Sequence, residues 1–394
     1  MRRMAPVCAL LGALALSPAR PAAAEGPEPP APSDPKPFEL YWRDGETVLK
    51  TDGLQLALSN RIQFRFTDLD PDARTQLPGT ASPGDSIRSF RIRRAKTSLE
   101  GWFWRKEVQF ELQIGWAGSD SSGGSATFSG LEDALLNWDA SKDETFMVQA
   151  GQFKVPFGRQ EMTSSERQQF VDRSILSGEF TRGRDVGLQV WGRVASGKVE
   201  YRAGVFNGNG RNKPINDNDK LQYDARVSFE PFGKVGYSES DFESRDKPLL
   251  AFALEFENND NARTLSGPPG GLVTNFNDTI VGGDVVFKYK GFSVYGELFL
   301  RQRDPEQGPS FNSNGYLVQS GAFVKRDVFE LAFRYASWDP SDVQQGDRQT
   351  EIGGAANYYI LKHRLKLQAD YRQVEDRVQD QTTKELRTQL QFVF

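Results

Sequence analysis

From Leu54 to Phe394 the chain repeats one pattern: runs of roughly ten residues in which apolar and polar side chains alternate. Clusters of Gly, Asp, Asn, Pro and Ser separate the runs. In "LQLALSNRIQFRF", Leu54, Leu56, Leu58, Ile62, Phe64 and Phe66 share one face, while Gln55, Ser59, Arg61, Gln63 and Arg65 share the other. "VQFELQIGW", "VFELAFRYASW" and "RLKLQADYR" repeat the theme. Successive side chains on a strand point to opposite faces, so each run has one greasy and one charged side. About sixteen runs can be counted, centred near residues 60, 97, 112, 134, 149, 190, 202, 225, 254, 284, 297, 320, 333, 355, 369 and 389.

Alternation alone does not say which face is inside. A soluble sandwich buries the apolar face, whereas a membrane barrel turns it toward lipid. A mean hydropathy of −0.57, with 38% hydrophobic residues, suits either arrangement. No apolar run reaches the length of a membrane helix. Three features favour the barrel. Aromatic residues gather near strand ends, at Trp102, Trp104, Trp116, Trp138, Trp338, Tyr358 and Tyr359, as at membrane interfaces. The last run, "KELRTQLQFVF", ends on Phe394 and would be a sticky edge in a soluble protein, but in a closed barrel it pairs with the first strand. The amino terminus reads as an export signal. Arg2 and Arg3 precede an apolar run from Val7 to Leu16, and Ala22, Ala23 and Ala24 follow.

The expected organisation is a signal peptide over 1–24, a Pro-rich periplasmic segment over 25–50 containing a short β element, and an all-β transmembrane antiparallel barrel over 51–394. Removing residues 1–24 takes away three arginines and no acid, so the formal charge falls from −4 to −7, which argues against a nucleic-acid partner. The one cysteine, Cys8, lies in the signal, leaving neither a disulfide framework nor a Cys-based metal site. The one histidine, His363, cannot build a multi-His metal site, and no Gly-x-Ser-x-Gly elbow accompanies it. The glycine-rich stretches "GGSATFSG" and "GPPGG" lack a phosphate-loop ending. No catalytic residue, metal or cofactor is expected.

The chemistry lies in the polar phase. Residues out of step with the apolar ones include Arg61, Arg65, Arg94, Lys96, Arg193, Arg202, Arg226, Arg301, Arg334, Arg364, Lys366, Arg372 and Arg387. The acids in that phase are fewer: Glu100, Glu111, Glu200, Asp224, Glu297, Glu330 and Asp370. A net-negative chain thus acquires a basic interior. Arg and Lys lining a narrow pore favour anions, although each arginine could instead pair with an interior acid and hold the wall. The pattern breaks once, between "GQFKVPFG" and "RGRDVGLQVWG". Residues 156–183 carry both apolar groups, such as Phe170, Ile175 and Phe180, and charges, and are predicted to fold into the lumen as a constriction. Lys154, Arg159 and Arg173 are its expected anion contacts. With Arg61, Arg65, Arg94, Lys96, Arg226, Arg334 and Arg372 they form the candidate anion pathway.

Together "DGLQLALSNRIQFRF", "RIRRAKTSLEGWFWRKEVQFELQ", "ALLNWDA", "VQAGQFKVPFG" and "RGRDVGLQVWG", with the terminal Phe394, resemble the phosphate-selective porin O and P family. The resemblance is strongest between residues 50 and 210. It implies a bacterial outer-membrane barrel of sixteen strands, usually a homotrimer among outer-membrane lipids and lipopolysaccharide, with an inward loop and passive diffusion of small anions such as phosphate or polyphosphate. A general or sugar-type porin of low selectivity, or a barrel enzyme or adhesin, remains an alternative.

Overall fold

The computed structural model describes residues 38–72, 82, 84–117, 129–213, 215–244, 246–264, 273–377 and 380–394. The expected signal peptide, residues 25–37 and most of the two glycine-rich stretches lie outside the described residues. A short hairpin, β1 (Glu39–Arg43) and β2 (Glu46–Lys50), precedes the barrel. The barrel strands are β3 (Leu54–Asp70), β4 (Ile87–Phe103), β5 (Arg105–Ala117), β6 (Gly130–Asp139), β7 (Met147–Lys154), β8 (Arg184–Val194), β9 (Val199–Phe206) and β10 (Gln222–Phe229). They continue as β11 (Leu249–Thr264), β12 (Val273–Tyr289), β13 (Phe292–Pro305), β14 (Phe311–Lys325), β15 (Phe329–Asp339), β16 (Gln349–Tyr359), β17 (Leu365–Asp376) and β18 (Gln381–Val393).

Each strand pairs antiparallel with the next, and β18 closes on β3 from Val393↔Arg61 to Lys384↔Asp70. Sixteen strands therefore form the closed wall. Each run centre read from the sequence falls within one of them. Closure satisfies the strand edges that hydrocarbon could not solvate. Below the seam, where β18 stops, β2 pairs with Gln55–Leu58 of β3 and fills the notch.

The faces are inverted relative to a soluble core. Leu136, Leu188, Leu254, Leu298, Leu331 and Leu367 are exposed on the outside. Arg65, Arg226, Arg334, Lys366, Glu257 and Gln319 are buried inside. Trp104, Trp116, Trp138 and Tyr358 stand outward at strand ends, as an interfacial belt requires. Tyr359 and Trp338 do not: Tyr359 turns inward and donates to Glu330 at 2.7 Å, and Trp338 packs against the interior apolar cluster. At the rim where β3 begins and β18 ends (the terminal rim), several turns are tight. Lys290 (φ 49°) and Gly291 (φ 89°) join β12 to β13 in a mirror-type turn that suits the strand twist.

Among the described residues, two long connections enter the barrel. Residues 155–183, between β7 and β8, descend from the far rim and carry the short helices α1 (Arg159–Met162) and α2 (Ile175–Phe180). Residues 230–248, between β10 and β11, rise from the terminal rim. They bring their own apolar core. Phe157 and Phe180 pack on Phe299 of β13, at 5.6 and 5.3 Å between ring centroids. Val235 joins them with Ile280, Val286 and Leu317.

Candidate functional site

A loop inside a barrel has no sheet to accept its amide hydrogens, and an unpaired buried amide is costly. Here carboxylates do the accepting. Gly158 N–H donates to Glu255 at 2.7 Å, Gln160 to Glu297 at 2.9 Å, Val171 to Asp370 at 2.9 Å and Ile175 to Glu351 at 2.9 Å. Gln169 N–H donates to Glu239 of the second insert at 2.7 Å. Cations bind the loop carbonyls in turn. The Lys154 ammonium donates to Glu161, Met162 and Thr163 carbonyls at 2.7, 3.2 and 3.1 Å. Arg173 donates to the carbonyls of Gln160, Glu161 and Thr163. Many charges that alternation assigns to the lumen therefore fix this segment in place.

The second insert locks onto the first. Glu239 also accepts from Tyr295 at 3.2 Å and Gln319 at 2.8 Å. Arg159 donates to the Gly236 carbonyl and lies over the Tyr237 ring, 5.0 Å from its centroid. In the turn after β16, His363 Nε2 stands 3.3 Å from Ser238 Oγ, and its ring meets Phe242 edge-on at 5.0 Å. Burial, reinforced by Lys366 and Arg167, pushes the His363 pKa well down, so the ring is neutral. Nothing in the alternation marked this insert. Its signal was length: nineteen residues connect β10 to β11 at a rim whose other turns are short.

Among the described residues, open space runs beside β3–β9 and β17–β18. It includes an outer cavity of about 650 Å³ toward the far rim and an inner cavity of about 300 Å³ toward the terminal rim. Arg94, Glu161 and Arg173 line both cavities and mark where they meet. Among the described residues, eight cationic side chains face the outer cavity against three carboxylates. Seven face the inner one, again against three. The surplus is positive on both sides of the junction.

One loop carboxylate gathers much of the outer charge. Asp172 meets Arg65 at 2.6 Å, Arg93 and Arg94 at 3.2 Å each, and Arg387 at 3.8 Å. Burial alone would raise its pKa, but Arg65, Arg93 and Arg94 hold it well below the usual carboxylate range. Neighbours in sequence, Arg93 and Arg94 both reach it because the β3–β4 register shifts between Gln63↔Arg94 and Phe64↔Ile92. The bulge places an extra residue on β4 and so turns two consecutive guanidiniums inward. A second register shift, at Gln113/Ile114 in β5, does the same for Glu132 and Asp133 of β6, which pair with Lys96 and Arg184.

Seven of the ten predicted pathway residues line the cavities: Arg65 and Arg372 the outer one, Arg61, Lys96 and Lys154 the inner one, Arg94 and Arg173 both. The other three line neither cavity. Arg159 is held by the second insert. Arg226 is buried between Glu255 and Asp284, and Arg334 is buried against Glu351 and Gln319. These three lie on the side of the barrel that the inserts fill, and alternation reports a face of the wall, not a position around it. The candidate set also omitted Arg91 and Arg93. Arg91 lines the outer cavity, and its buried Nε has no hydrogen-bond partner among the described residues.

Residues 57–394 match the family model described as phosphate-selective porin O and P. A protein of Aquifex aeolicus (strain VF5), described as uncharacterized, is 23% identical over 282 residues, covering 64% of this chain and 65% of that protein. Solved structures show the same fold at low identity. The anion-selective porin from Comamonas acidovorans superposes with a TM-score of 0.59 at 14% identity, over 86% of this chain and 99% of the porin. The trimer form of OmpT from Vibrio cholerae gives 0.59 at 8% identity, over 86% and 100%. The outer-membrane channel DcaP of Acinetobacter baumannii gives 0.57 at 11% identity, over 88% and 99%.

Proposed function

The chain belongs to the phosphate-selective porin O and P family, and on that premise we propose that it is a passive outer-membrane diffusion channel for small anions. The observation that carries this reading is the positive surplus in both cavities on either side of the Arg94–Arg173 junction. A narrow aqueous path with low-dielectric walls concentrates counter-ions of the opposite sign and repels those of like sign. Residues 156–183 act as the constriction, held in one position by carboxylates that accept from its amides and cations that bind its carbonyls. Because most of the arginines are already paired, each anion site along the path is weak, as conduction requires: an ion must leave as readily as it enters. Phosphate is one candidate among the permeant oxyanions, since paired guanidiniums such as Arg93 and Arg94 present the forked donors that oxyanions accept.

In this reading residues 1–24 direct export, residues 25–50 are a periplasmic segment, and the terminal rim faces the periplasm. The exposed apolar belt contacts lipid, lipopolysaccharide surrounds the far rim, and three copies assemble, as in the trimer form of OmpT from Vibrio cholerae. The test is a planar bilayer with a tenfold KCl gradient. A reversal potential on the chloride side is expected, with chloride current reduced by added phosphate. Preference for potassium would overturn the proposal.

A further inference from the structure

The outer cavity is graded along one strip of wall. Leu69 and Ile87 are cross-strand partners nearest the far rim. Two residues deeper, Thr67 pairs with Ser89, and two deeper again, Arg65 pairs with Arg91. All six line the outer cavity. Ile175 of α2 lines the same cavity and adds a third aliphatic side chain to its wall. Thus the cavity runs from an apolar mouth through a hydroxyl step to guanidiniums. Along this strip three buried polar atoms lack protein partners among the described residues: Arg65 Nε, Thr67 Oγ1 and Arg91 Nε.

Inorganic phosphate would use only the deep end of this cavity and leave Leu69, Ile87 and Ile175 in water. A solute that fills the whole gradient has an anionic head and an apolar body. Four residues of strand separate the aliphatic pair from the guanidinium pair, about 13 Å along the wall, from which the arginine side chains reach partway back. That leaves room for a body of about four to seven carbons, well within the size of ligand cavities of this volume. Resting on the anion-channel reading above, we propose that the outer cavity binds organic carboxylates with an apolar body, entering with the carboxylate toward Arg65 and Arg91. Burying each added methylene against the aliphatic mouth strengthens binding by about two- to fourfold.

The probes are acetate, butyrate, hexanoate and benzoate, each titrated against chloride current through the full-length channel in a planar bilayer. The inhibition constant is expected to fall about two- to fourfold per methylene across the aliphatic series, with benzoate near hexanoate. In Leu69→Ser/Ile87→Ser the series should flatten toward the acetate value. If that double variant forms no channels, Ile175→Ser should flatten it in part. A flat series in the unaltered channel, or a series equally steep in the variants, overturns the carboxylate inference. A chloride-side reversal potential in the same recordings would leave the channel reading standing, whereas potassium preference would overturn both.

Discussion

Replacing Asp172 with Asn removes one negative charge from the outer cavity and keeps the side chain's size. Four arginines lose their shared counter-charge: Arg65, Arg93, Arg94 and Arg387. The amide can still accept a hydrogen bond from one of them. For an anion passing about 5 Å away, the lost repulsion is about 0.8 kcal/mol at the dielectric constant of water, and about twice that where the lumen wall halves it. Residence of anions near the junction should therefore rise about fourfold to fifteenfold. In bilayers, phosphate should block the chloride current at a correspondingly lower concentration, and the reversal potential should move further toward chloride. The effect has a defined pH range. The folded-state pKa of Asp172 lies below its unfolded value, so the carboxylate is ionised across neutral and mildly acidic pH. Its contribution to stability is complete above the unfolded pKa and is lost only as pH falls through the lower folded value. The difference in chloride reversal potential between the two channels should then be constant from about pH 5 to pH 8. An unchanged block, a shift toward potassium, or a difference that vanishes near pH 6 would refute the role assigned to Asp172.

Three further outcomes follow from the same geometry. Arg91→Ala removes a guanidinium facing the outer cavity and should lower the chloride-to-potassium permeability ratio about threefold, read from reversal potentials. Arg226→Ala strands Glu255 and Asp284 in the packed side of the barrel; it should destabilise the folded barrel by about 3–5 kcal/mol in urea titrations, with selectivity unchanged in the channels that still form. His363 is neutral when folded, so its unfolded form binds a proton more readily. It contributes stability above its unfolded pKa near 6.5, and that contribution declines as pH falls below it. His363→Gln should remove this acid-side loss, measured as a smaller drop in melting temperature between pH 7 and pH 5.

The wall was legible in the sequence for a simple reason. Membrane strands must carry one face for lipid and one for water, and period-two alternation records that demand residue by residue. Leu54–Phe66, Val108–Trp116 and Leu365–Arg372 each display it, as does the closing strand that ends at Phe394. The break after Lys154 was equally plain, because a loop that belongs in the interior cannot keep a strand's rhythm.

Alternation, however, carries no information about what lies across the lumen. It could not say that Lys154 and Arg173 bind loop carbonyls, or that Arg159, Arg226 and Arg334 lie on the filled side. Nor could it place Arg93 inward, since a bulge suspends the rule for a single residue, and here that residue is a charge. The insert at 230–248 escaped for a related reason: its acids suit exposed turns, and only their partners, Gln169, Tyr295 and Gln319, show that Glu239 belongs to the interior. The sequence by itself determined the strands, their inverted faces and the basic tendency of the lumen, because these depend on local period and composition. Only the tertiary structure decided which cations meet a counter-charge and which face the open path, because ion pairing depends on distances between segments a hundred or more residues apart, such as Arg65 and Asp172.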